Sequence, residues 1–236
     1  MKNLKDFFSK IDEFICPELF NVHLEGFEDL VKLWDILQRI QNGFTGVALQ
    51  KLKPQILGTI EEGAFVKGDV YLGKGAVIEA GAMVCGPTII DDYAEVRHGA
   101  FVRGNVIIGA HGVVGHASEV VRSILLPHAK APHFNYVGDS VLGSNVNLGA
   151  GTKLSNLKND GTGVKTRVGM NIIDTGIRKF GAILGDNCKL GCNSVTNPGT
   201  IMEPNCAVYP CASVSGYYDE NSVIKLKQTF RTISER

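Results

Sequence analysis

The sequence predicts an all-β fold, a left-handed parallel β-helix of hexapeptide repeats with an N-terminal helical cap. Three observations predict it. Ile60, Val66, Leu72, Ile78, Val84, Ile90, Val96, Val102, Ile108, Val114 and Val120 follow one another at intervals of six without a miss. The residue two before each is small or β-branched: Gly58, Ala64, Val70, Ala76, Ala82, Thr88, Ala94, Ala100, Val106, Gly112 and Ser118. Glycine is abundant at 28 and aromatics are scarce at 8%, which suits many tight turns around a narrow core. A period of six matches neither the 3.6 of a helix face nor the 2 of a single strand. It matches a short strand plus a turn, with one apolar side chain pointing inward per repeat. Three repeats close a triangular coil of about 18 residues, and stacked coils pair their strands in parallel.

The elements follow in chain order. Residues 1–54 read as helical. Leu4, Phe7, Phe8, Ile11, Phe14 and Ile15 share one helical face, as do Phe27, Leu30, Val31, Trp34, Leu37 and Ile40. Gly43 and Pro54 punctuate the end. A β-helix begins with an open strand edge, so this segment is expected to cap it; a dimerisation or docking surface is the alternative. Residues 55–216 form the β-helix. The phase fails across 121–136, which hold Pro127 and Pro132 and read as an inserted loop or irregular coil. It returns at Leu142, Leu148 and Leu154 and fails again across 156–181, rich in Gly, Asn, Lys and Arg. It resumes at Leu184, Leu190, Met202, Val208 and Val214, with Thr196 the polar exception. Residues 217–236 read as a C-terminal helix or arm with Asp219 as N-cap. Loops that interrupt a rigid scaffold are where function concentrates.

Charge and composition narrow the classes of function. With 24 basic and 24 acidic residues, nothing favours nucleic acid or an anionic membrane as partner. No apolar run approaches the ~20 residues of a membrane span, and the N-terminus lacks the apolar run of a signal peptide. A cytoplasmic protein is expected. Cys188, Cys192, Cys206 and Cys211 crowd together, but CxxxC and CxxxxC are not zinc-knuckle spacings. They are expected to be small apolar fillers of repeat positions.

The run from His133 to Thr152, His-Phe-Asn-Tyr-Val-Gly-Asp-Ser-Val-Leu-Gly-Ser-Asn-Val-Asn-Leu-Gly-Ala-Gly-Thr, carries a resemblance. With Asn156-Leu157 and the segment from Asp174 to Asn187, it resembles the acetyltransferase domain of the bifunctional N-acetylglucosamine-1-phosphate uridyltransferase / glucosamine-1-phosphate N-acetyltransferase family. Archaeal sugar-phosphate nucleotidyltransferases with the same acetyltransferase half are similar. The resemblance covers roughly residues 56–216 and implies a homotrimer with sites between adjacent β-helices, acetyl-CoA as donor and an amino-sugar phosphate as acceptor. It further implies His133 as general base. Tyr136 and Asn147 line the acceptor sugar, Asn147 being taken as part of the catalytic set. Arg103 meets the phosphate, Asn156 and Lys165 lie in a closing loop, and Ala150 offers a backbone contact to the CoA thioester end. The chain departs from the family in four places. The residues before the repeats hold no Gly-rich phosphate loop, so no nucleotidyltransferase domain is expected. A phosphate-contacting Lys falls on Val121, with Arg122 next to it. The surroundings of Cys192 and Cys211 differ from the family's CoA-contacting pattern. A stretch of family glycines becomes Gly199-Thr-Ile-Met-Glu-Pro.

The chemistry explains these residue types. A protonated amine cannot attack a thioester, and histidine is the side chain whose ordinary pKa suits a base near neutrality. The tetrahedral intermediate needs N–H donors from backbone or Asn, and arginine can hold a phosphate bidentately. No metal is required. Two other classes stay open: a catalytically silent, sugar-nucleotide-binding or regulatory scaffold joined to a partner nucleotidyltransferase, and a trimeric zinc enzyme resembling γ-class carbonic anhydrases, for which His111 and His116 have the spacing of two ligands but Gly75 stands near the position of the third.

Overall fold

The computed structural model describes residues 4–21, 33–168 and 170–229. From Gln55 onward the chain winds as a left-handed parallel β-helix of about nine turns. Its three flat faces are two nine-stranded sheets and one eight-stranded sheet. Face A begins at Gln55–Ile56, face B at Thr59–Ile60 and face C at Phe65–Lys67. The period-six residues from Leu72 to Val120 are buried in one inner core, together with the small residues two before them. Tight corners join the faces, many of them turned by one residue in the left-handed region, such as Phe134 (φ 52°).

Of the two readings of 121–136, the structure shows the irregular coil and not the inserted loop. Its strands pair in register with the coils on either side: Val113 with Lys130, Glu119 with Tyr136, and Ile124 with both Ile107 and Val141. The inward series continues as Val120, Leu125, Ala131, Val137, Leu142 and Leu148. The step from Val120 to Leu125, and again from Val137 to Leu142, is five residues instead of six. One residue is missing at the corner between faces C and A in two successive coils, which shifts the phase without interrupting the fold. Residues 156–181 are a true insertion at that same corner. They carry an antiparallel hairpin, Lys165–Val168 with Asn171–Asp174, and Leu157 bridges to Lys179 at the stem.

The N-terminal segment contains α1 (Leu4–Phe7), two 3₁₀ turns, α2 (Asp35–Gln41) and α3 (Phe44–Leu52). Phe27, Leu30 and Val31 of the expected second helical face lie outside the described residues. The described helices do not cap the first coil. They lie along the outside of face A, burying Ile89, Ile107, Ile124, Val141, Ile183 and Ile201 against Phe7, Phe8, Trp34, Leu37 and Ile40. The cause is in the sequence. Each of these residues immediately precedes an inward one, so face A strands are apolar on both sides and need covering on both. Ile56, Leu57, Ile60 and Phe65 of the first coils stay exposed. Asp186 ties the segment down, accepting from the Ser9 backbone N–H (2.8 Å) and hydroxyl (2.6 Å). The other end differs too. Tyr217–Tyr218 and Val223–Ile224 are strands that extend faces A and B past residue 216, and Asp219 sits in the turn between them instead of starting a helix. Residues 230–236 lie outside the described residues.

Candidate active site

The edge between faces B and C brings one residue of each coil to the same line. His98, His116, His133 and Ala150 succeed one another along it. His116 pairs with His133, and the Gly151 N–H donates to the His133 carbonyl at 3.0 Å. The three histidines are not equivalent. His98 Nδ1 bonds the Ala80 carbonyl at 2.7 Å, His116 Nδ1 bonds the His98 carbonyl at 3.1 Å, and the two rings stack at 5.7 Å. The exposed ring of His133 makes no hydrogen bond among the described residues, while its backbone is fixed.

Asn135, which the motif contains but sequence reasoning passed over, does the fixing. It is buried in an inward slot that neighbouring coils give to Ser118 and Thr152. Its Oδ1 accepts from the His133 N–H at 3.0 Å, and its Nδ2 donates to the Gly149 carbonyl at 2.8 Å. A polar residue in an inward slot is the signal that would have found it.

Round the corner, Tyr136 starts the face C strand and stands half-buried between Glu119 and Lys153. Burial, then the negative charge of Glu119, raises its phenol pKa, so it remains a neutral hydroxyl at physiological pH. Tyr136, Lys153, Ser155, Asn156, Leu157 and Val195 line a cavity of about 330 Å³. Lys165 lines a second cavity of about 450 Å³ under the insertion, next to Lys158, Asn197 and Pro198. Ser155 and Leu157 border both cavities.

The structure therefore groups the expected residues in two sets. His133 and Ala150 share the corner; Tyr136, Asn156 and Lys165 share the adjoining cavities on face C. Asn147 projects from face B between Lys130 and Lys189, three residues before Ala150. Arg103 also stands on face C, two coils before Tyr136, and is engaged at 2.6 Å by Glu119, the register neighbour of Tyr136. Arg122 is engaged too, gripping Asp139 through Nε (2.6 Å) and Nη2 (2.8 Å), which raises its pKa. Val121, where the family places a lysine, is buried.

The other metal-ligating side chains are dispersed. His111 stacks between Tyr93 (5.2 Å) and His128 (4.8 Å) on the A–B edge, away from the stack that holds His116. Among the described residues no three His, Cys, Asp or Glu side chains gather as a metal site. Cys188 and Cys206 fill inward slots as expected, but Cys192 and Cys211 are exposed at successive B–C corners. No described helix is long and apolar enough to cross a membrane.

The family described as the GMPPB C-terminal domain matches residues 84–179. The chain is 44% identical over 211 residues to the bifunctional protein GlmU of Methanococcus maripaludis, covering 89% of this chain and 50% of the relative. It is 36% identical over 204 residues to GlmU of Methanocaldococcus jannaschii, covering 86% and 48%. It is 34% identical over 195 residues to a bifunctional sugar-1-phosphate nucleotidylyltransferase/acetyltransferase of Sulfurisphaera tokodaii, covering 82% and 48%. The chain thus spans about half the length of the curated relatives it matches. Over that half it is similar to the acetyltransferase region of GlmU-type proteins.

Proposed function

We propose that this protein is an N-acetyltransferase that moves acetyl from acetyl-CoA to the amine of a sugar phosphate resembling glucosamine-1-phosphate, in the service of nucleotide-sugar biosynthesis. The observation that carries the reading is the B–C corner: of the three histidines in line there, His98 and His116 are engaged and the His133 ring makes no hydrogen bond among the described residues, while Tyr136 and Asn156 line a cavity round the corner. His133 takes a proton from the acceptor ammonium. The free amine attacks the thioester carbonyl, and the C–S bond breaks as the amide forms, releasing the CoA thiol. The Asn147 side chain and the backbone at Ala150 stabilise the oxyanion and the thioester end. Lys165, which makes no ion pair among the described residues, meets the phosphate, and Arg103 joins it by leaving Glu119.

The two sets of residues lie on different faces of one chain. The reading therefore includes a homotrimer in which a neighbouring β-helix closes the space between them. Face A is occupied by the helices, while the exposed column Phe65, Met83 and Phe101 on face C offers an apolar contact. The engagement of Arg103 and Arg122 by carboxylates favours a second reading, a silent scaffold that binds a sugar nucleotide beside a partner nucleotidyltransferase.

One assay separates them. Pure protein is given acetyl-CoA and a panel of amino-sugar phosphates, and thiol release is followed. Acetyl transfer that His133→Ala lowers by about two to four orders of magnitude in kcat supports the enzyme. Release with none of the amines at millimolar concentration sinks it in favour of the scaffold.

A further inference from the structure

We propose that Asp139 is a positioning residue for the acceptor side of this site, fixing Asn156 and through it Tyr136, and that Gln41 makes the N-terminal helices part of that support. The inference rests on the acetyl-transfer reading above. The Asp139 side chain is wholly buried. Its Oδ1 accepts from Arg122 Nε (2.6 Å) and Gln41 Nε2 (2.8 Å); its Oδ2 accepts from Arg122 Nη2 (2.8 Å) and Asn156 Nδ2 (2.5 Å). A buried carboxylate held by a guanidinium fork and two amides has little freedom to turn.

The second Nε2 hydrogen of Gln41 goes to the Lys179 carbonyl at 2.7 Å, on the returning side of the insertion's stem. There Leu157 bridges Lys179, and the Phe180 N–H donates to the Asn156 carbonyl at 2.9 Å. The Trp34 ring lies 6.5 Å from that of Phe180. The stem is thus gripped by the coil below it and by α2 beside it.

Gly138 completes the arrangement. A Cβ there would stand 2.6 Å from Asn156 Nδ2 and 2.7 Å from the Tyr136 hydroxyl, so these two side chains occupy the room that a larger residue would take. Asn156 Nδ2 and the Tyr136 hydroxyl thus stand side by side over Gly138, so holding the one confines the other. The cavity wall is therefore set before any acceptor arrives, and the acceptor has less ordering to do on binding.

The test uses the full chain with Gln41→Met, which keeps the length of the side chain and removes both donors. Hydrogen exchange and steady-state kinetics are measured on the same preparation. Amide exchange in the stem, residues 156–158 and 178–181, should quicken by about tenfold, the worth of a lost hydrogen bond to a charged group. The acceptor KM should rise by about the same factor, with kcat and the acetyl-CoA KM within about twofold. Asn156→Ala should raise the acceptor KM as well, and the double variant should be no worse than Asn156→Ala alone. Unchanged stem exchange, additive effects, or a fall in kcat matching the rise in KM would overturn the proposal. A wild-type protein that acetylates no amine would overturn the acetyl-transfer reading instead, and the exchange result would still decide whether Gln41 and Asp139 hold the stem.

Discussion

Thr196 occupies an inward slot that the neighbouring coils give to Leu154 and Val214, and its buried hydroxyl has no hydrogen-bond partner. Thr196→Val keeps the shape and removes the unpaired group. It should raise the unfolding free energy by ~1 kcal/mol in urea titration. Cys16 is buried at the edge of the helical segment, and burial, with Glu18 and Asp91 adding to it, pushes its thiol from 9.0 up to about 12. The folded thiol keeps its proton where the unfolded one has released it. Stability is thus unaffected by Cys16 below pH 9 and falls as pH rises from 9 toward 12. Measured against Cys16→Ala, the native chain should lose about 1 kcal/mol between pH 8 and pH 10. At this scale His133, Tyr136 and Asn147 were singled out by a resemblance carried in their motif, and their roles stand as proposals. Asn135, Asp139 and Gln41 were not. They touch the site only through other side chains, and Gln41 is 98 residues from the carboxylate it meets.

The elements were legible where one rule governs them. The six-residue series placed the strands of the first coils because each inward slot is filled from a single position. The same rule left 121–136 open between a loop and an irregular coil, since a coil one corner residue short shifts the phase as an insertion does. The cap was misplaced for a different reason. The signal lies in the outward neighbours of the inward series, where Ile89-Ile90, Ile107-Ile108, Ile124-Leu125, Val141-Leu142, Ile183-Leu184 and Ile201-Met202 mark face A as a sheet buried on both sides. A charge in that layer should free the helices without unwinding the coil. Ile107→Asp, buried at 0% exposure, should cost ~3 kcal/mol or more. Limited proteolysis should then cut within residues 1–53 while the β-sheet circular dichroism persists. Loss of both together would show that helices and coil fold as one unit.

Over the whole molecule, the three faces have divided their roles. Face A is closed by the helices. The C–A edge carries the insertion and the Asp139 cluster. The B–C edge carries the free imidazole of His133, with Ala150 beside it. The proposed function puts the approach of a thioester at the B–C edge, and a crystal structure with coenzyme A tests that most directly. The CoA sulfur should lie beside the His133 ring at the level of Ala150, facing the Tyr136 and Asn156 cavity across a subunit boundary. A sulfur lodged at another edge, such as the Tyr93, His111 and His128 stack, would contradict it.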